Sequence, residues 1–253
     1  MAQSFVTALM ALAFCLVHIF VGKLRFLERT PRSRWLSFAG GVAVGYVFLH
    51  IMPEIGAHGA TFERVTGFDE VFAEGLVYTL ALAGLVLFYG LERAIVISRG
   101  REEREADQHR GGRRPEPGVF WVHIAASALL GLIVAYLLNH REETGVVSLL
   151  LFFGALLLHF VTADFASRGH FPELYDNAGR WVLVVATVTG WVIGLGLELR
   201  EIWIGGLFAF LGGGMILIAL KEELPEQRQS SLLPFLLGVG IYAVLVLGEQ
   251  YMR

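Results

Sequence analysis

Charged residues interrupt this chain at intervals that match the length of a membrane-spanning helix. No Asp, Glu, Lys or Arg occurs before Lys23, or between Arg34 and Glu54, Glu74 and Glu92, or Glu116 and Arg141. The pattern continues between Glu143 and Asp164, Arg180 and Glu198, Glu201 and Lys221, and Arg228 and Glu249. Each of these uncharged intervals is 17 to 24 residues long. A helix rising about 1.5 Å per residue needs roughly 20 residues to cross a 30 Å hydrocarbon core. The spacing predicts eight transmembrane helices, over about 3–22, 35–53, 75–91, 119–138, 146–164, 181–197, 202–220 and 230–249, in one transmembrane domain covering 1–253.

Composition narrows the class further. The chain is 55% hydrophobic and 17% charged, where a soluble domain carries about 25% charged residues, and its mean hydropathy is +0.62. A net charge of −3 excludes nucleic-acid binding driven by phosphate neutralisation. The single cysteine, Cys15, excludes an internal disulfide framework and reads as a small apolar residue in the first helix. That first helix lacks a preceding basic cluster, so it reads as retained and not as a signal peptide.

Sixteen of the twenty Lys and Arg residues fall in the loops after helices 1, 3, 5 and 7. The positive-inside rule places those loops in the cytoplasm and both termini outside. The polar stretch of about 92–118, with Gly111, Gly112, Pro115 and Pro117, reads as a mobile cytoplasmic loop. The host membrane is expected to be a plasma membrane or a bacterial inner membrane, with the lipid bilayer as the first partner.

Two helices share a pattern. Gly40 to Glu54 begins with a glycine pair and ends His-Ile-Met-Pro-Glu; Gly212 to Glu226 begins with three glycines and ends Glu-Glu-Leu-Pro-Glu. Aligning Pro53 with Pro225 sets Gly41 opposite Gly213 and His50 opposite Glu222. Helix 2 runs outward and helix 7 inward in the topology above, which is the signature of an inverted repeat. The predicted fold is therefore an all-α integral membrane protein with eight transmembrane helices in a 3+2+3 arrangement, helices 1–3 and 6–8 forming the repeat.

These two Pro-Glu helices resemble the corresponding helices of the ZIP (Zrt/Irt-like) divalent-metal transporters, and the eight helices, outward termini and long loop after helix 3 fit that family as well. The resemblance spans the chain. It implies a carrier that moves zinc, iron or manganese through a site between helices 4 and 5, the metal being the transported ion and no tightly bound cofactor being required. A homodimer is a further option.

Intramembrane ionisable groups are functional candidates by default. Helix 4 offers His123 with Ser127 on the same face, and helix 5 offers His159 with Thr162, followed by Asp164. Matched to the family pattern, His123 and His159 are the two histidines, while Ile124, Ser127, Phe160 and Thr162 replace its other polar or proline positions. Asp164 stands where the last acid would be, although five steps at about 100° each leave it about 140° around the helix from His159. The expected metal ligands are His123, His159 and Asp164, making one incomplete site with water as the remaining ligand. His50, Glu54, Glu222 and Glu226 are expected along the pathway, with Ser127 and Thr162 in support. His18 reads as a packing histidine of helix 1. The chain contains neither His-Glu-x-x-His nor Gly-x-Ser-x-Gly, so no catalytic residue is assigned and it reads as no enzyme. The alternative to a carrier is a non-transporting ZIP-fold membrane protein with an interaction or regulatory role.

Overall fold

The computed structural model describes residues 2–24, 34–108, 117–140, 145–223 and 231–251. These form helices and short turns with no strand among them. α1 is Ala2–Phe20, extended by a short turn over Val21–Lys23. α2 is a single rod, Arg34–Thr66, containing a π-turn at Val47–Ile51. α3 is Glu70–Gln108, α4 Pro117–Leu137 and α5 Val146–His170. α6 is Pro172–Gly196 with a π-turn at Tyr175–Gly179; α7 is Glu201–Glu223 and α8 Leu232–Tyr251. Among the described residues, seven stretches are long and apolar enough to cross a membrane, and Glu201–Leu217 in α7 is a shorter apolar one.

Several helices outrun their uncharged intervals. α2 continues past Pro53 to Thr66, where Gly67, at φ 73°, ends it by donating its N–H to the Glu63 carbonyl. Pro53 cannot donate to the carbonyl of Leu49 four residues back, and the π-turn just before it is where the helix takes up that irregularity. α3 likewise runs to Gln108, so the expected loop is helical over 92–108. The Arg, Glu and Ala residues of this stretch are strong helix formers, and 109–116 lie outside the described residues. An uncharged interval marks what can sit in hydrocarbon, not where hydrogen bonding stops.

Contacts at the helix ends show that the chain runs up and down. At the end bearing the termini, Trp191 at the end of α6 donates to Thr7 Oγ1 near the start of α1, 3.2 Å away. Thr7 in turn donates to Asn139 Oδ1, just past α4, at 2.9 Å, and Arg64 of α2 pairs with Glu201 of α7. At the opposite end the Ser231 N–H donates to Ser37 Oγ, joining the starts of α8 and α2, at 3.1 Å.

The surface is apolar where a soluble protein's would be polar. Phe5, Leu9, Leu12, Leu16 and Phe20 are all exposed along one face of α1, at the spacing of a lipid-facing stripe. Polar residues are inside: Thr7, His18, His159, Asp164, Ser167 and Thr187 are all buried.

Backbones meet closely at several glycines: Gly190 of α6 lies against the Leu132 carbonyl of α4, and four others form two matching pairs. A Cβ on Gly41 of α2 would strike the carbonyl oxygen of Phe235 in α8, and one on Gly238 of α8 would strike that of Phe38 in α2. The α7–α3 pair repeats this: Gly213 lies against the Ala81 carbonyl and Gly84 against that of Phe210. In all four cases the carbonyl belongs to the residue three before the partner glycine. Overpacking costs about 1–3 kcal/mol even where side chains can yield, and a backbone oxygen yields less. Gly213→Val and Gly41→Val are therefore expected to destabilise the protein by at least that much in detergent unfolding. Gly154→Ala, where nothing lies within 4 Å of the added carbon, is expected to stay within about 1 kcal/mol of the wild type.

Candidate functional site

Polar groups inside the bundle collect at different depths along α5, and their order follows its sequence. Ser148 and Leu151 line a cavity shared with α2 and α8; Phe152 and Leu156 line an apolar centre; His159 follows; Asp164 and Ser167 come last.

The first cavity lies toward the end bearing the termini. It has a volume of about 200 Å³ and is lined by Leu49, His50, Pro53, Glu54 and Ala57 of α2, Ser148 and Leu151 of α5, and Val246, Glu249 and Gln250 of α8. His50 belongs to the π-turn, stacks on Tyr46 with ring centroids 5.3 Å apart, and has Nε2 3.9 Å from Glu54 Oε2. Both expected pathway residues of α2 thus line the same cavity. The side chain of Glu222 and the whole of Glu226 lie outside the described residues.

Next to it is an apolar centre. A cavity of about 20 Å³ lies among residues of α2, α4, α5 and α7, including Ile51, Leu130, Phe152, Leu156, Leu211 and Met215. It has room for about one water, and such walls give a water almost nothing to bond. Ile51 and His50 are neighbours on one π-turn, yet one faces this dry space and the other the polar cavity.

Beyond the centre the expected ligands separate. Asp164 is engaged by α1: His18 Nδ1 donates to its Oδ2 at 2.6 Å, with both side chains almost fully buried. The other ring nitrogen of His18 lies 3.3 Å from Thr187 Oγ1 in α6, and Tyr175 donates its hydroxyl to the His18 carbonyl at 3.1 Å. His123 Nε2 sits 2.8 Å from Ser167 Oγ. Thr162 turns its hydroxyl back onto the His159 carbonyl at 2.9 Å, and Ser127 is half-buried one turn beyond His123. His159 is 4% exposed, and its Nε2 makes no hydrogen bond among the described residues.

No three His, Cys, Asp or Glu side chains among the described residues are gathered closely enough to hold a metal ion. The expected three-ligand set of His123, His159 and Asp164 is therefore not assembled in this arrangement. The reason is geometric: Asp164 projects from a different side of α5 than His159 and meets α1, while Ser167, two turns beyond His159, receives His123. Arg168, close to Asp164 in sequence, pairs through both its Nε and Nη2 with Asp176 at the start of α6, each at 2.8 Å.

Sequence alone marks His18 as a packing residue and gives no role to Thr187, Tyr175 or Ser167. A signal for His18 was present. Asp164 is the acid that closes the fifth uncharged interval, His18 is an imidazole alone in the first, and a group of that kind in hydrocarbon requires a partner.

The chain matches no family model, no curated protein and no solved structure. Fold and chemistry define it as an all-helical protein built to lie in a bilayer, with buried polar groups at both ends of its core.

Removing one member of a buried pair strands the other, at about 3–5 kcal/mol, whereas replacing both by apolar groups is far milder. Asp164→Leu and His18→Leu are each expected to lower detergent-unfolding stability by that order. The double variant is expected to recover most of the loss in a double-mutant cycle. Additive losses would show that the two side chains act independently.

Proposed function

We propose that the protein is a ZIP-like carrier for a divalent metal cation such as zinc, iron or manganese. The observation that carries this reading is the matched register of the four glycine contacts. Gly41 and Gly213, set opposite each other by aligning Pro53 with Pro225, each meet a neighbouring helix in the same way. That supports two inverted halves, α1–α3 and α6–α8, around α4 and α5, an architecture that offers a central path two alternative openings. In this reading both termini face outside a plasma or bacterial inner membrane, and the polar cavity opens outward. The arrangement is closed at its apolar centre, with His159 and His123 on the inner side. His159 is the imidazole positioned to meet the cation first. With so few protein ligands, the cation keeps water as the rest of its coordination.

Uptake into proteoliposomes tests this. The wild type is expected to accumulate zinc, iron(II) or manganese(II), and the His123→Ala/His159→Ala double variant to lose at least about nine-tenths of the rate, an effect of about 1.4 kcal/mol on the barrier. Equal uptake by both proteins, or none by either, removes the carrier reading.

The missing three-ligand group favours one second reading, a non-transporting ZIP-like membrane protein with an interaction or regulatory role. It predicts a folded protein with no uptake of any of the three ions.

A further inference from the structure

The cavity among α2, α5 and α8 has a chemistry of its own. We infer that it binds a divalent cation with its water shell largely intact, Glu54 and Glu249 supplying the charge and His50, Ser148 and Gln250 the hydrogen bonds to coordinated water.

Size is the first argument. A water needs about 10–15 Å³ of cavity volume, so a cavity of about 200 Å³ holds an ion together with its six waters. A bare ion held at roughly 2.0–2.2 Å from its ligands would fill little of that space. Charge is the second. Two carboxylates line the cavity and no Lys or Arg is among the described lining residues, which suits a dication. The third argument is the kind of coordination on offer. The described residues gather no three-ligand group here, so an inner-sphere cage is not built. Hard divalent ions that shed water reluctantly are instead held by one or two carboxylates and retain several waters. The remaining lining groups suit that role: an imidazole, a hydroxyl and an amide can each donate to or accept from a bound water. Ser148 is 1% exposed, so part of the polar lining is closed off from solvent.

The apolar centre beside it gives the site its consequence. A space of about 20 Å³ stops a hydrated ion, which collects in the cavity until the centre opens or the ion loses water. This last role rests on the carrier reading; the binding itself does not.

The test uses the purified full-length protein in detergent and hexaamminecobalt(III), an exchange-inert stand-in for a hexahydrated cation. Equilibrium dialysis is expected to show one saturable site per chain, displaced by manganese(II). Glu54→Gln and Glu249→Gln are each expected to weaken binding about tenfold, about 1.4 kcal/mol. Gln250→Glu adds a charge to the cavity wall and is expected to tighten it by a similar factor. That gain cannot come from misfolding. Glu198→Gln, at an exposed carboxylate outside the cavity lining, controls for general surface charge. Wild-type protein that binds manganese(II) but not hexaamminecobalt(III) overturns the hydrated mode. Affinity unchanged in Glu249→Gln and Gln250→Glu overturns the site. Binding that behaves as described in a protein without uptake leaves this site standing and removes only the carrier reading.

Discussion

Helices already lying in lipid gain little from touching one another through apolar side chains, because hydrocarbon tails are as good a neighbour as leucine. Their association depends on how closely backbones can pack. Gly41, Gly238, Gly213 and Gly84 permit that approach at two places, binding α2 to α8 and α7 to α3. Both pairs fix a register as well as a distance, since each glycine faces one particular carbonyl. The placement of His50 and Glu54 against Glu249 is a consequence of the α2–α8 register, and that of Met215 at the apolar centre follows from the α7–α3 register.

α6 meets α4 through a further close approach, Gly190 against the Leu132 carbonyl, and hydrogen bonds then decide what α1 and α5 do. α1 is pinned near its start by Thr7, which links it to Asn139 and Trp191, and near its end by His18, which links it to Asp164 and Thr187. Its outer face is a plain apolar stripe. A polar group left unpaired at this depth costs several kcal/mol, so these contacts specify which helix α1 must lie against more sharply than the shape of its apolar side chains can. The same requirement explains why the polar groups cluster toward the two ends while the middle is filled by Ile51, Leu130, Phe152 and Leu156.

The class of fold was legible from the charge spacing alone, because hydrocarbon excludes unpaired charge whatever the packing. The glycines that mattered in α2 and α7 were visible as the starts of the two matching segments. Their partners Gly84 and Gly238 were not, since nothing in a single helix says which glycine meets another backbone. Helix ends were misjudged where polar residues continued a helix beyond the apolar stretch, as at Met52–Thr66 and in α3 beyond residue 91. The site was the least legible part. Reading α4 and α5 as a pair put His123, His159 and Asp164 together, but residues five apart on a helix point apart, and Asp164 found its partner on α1. Glu249 and Gln250 carried no signal as the tail of the last helix; only the register of α8 against α2 brings them to His50 and Glu54.

One turn of α2 connects the two spaces that matter most. The π-turn at Val47–Ile51 places His50 in the polar cavity and Ile51 in the apolar centre. A π-turn is in effect one extra residue in an α-helix, so moving it along the chain rotates the residues it passes by about 100°. A rotation of that size at this position would carry Ile51 out of the centre and change what His50 faces in the same step. Pro53 already denies the turn a regular hydrogen bond, which lowers the cost of the irregularity there relative to elsewhere in the helix. The Gly41 contact with α8, ten residues before Ile51, and the close packing of buried His58 against Gly205 of α7 beyond it hold the two ends of α2 in place. A rearrangement confined to the turn can thus couple the polar cavity to the apolar centre without dismantling the helix contacts on either side.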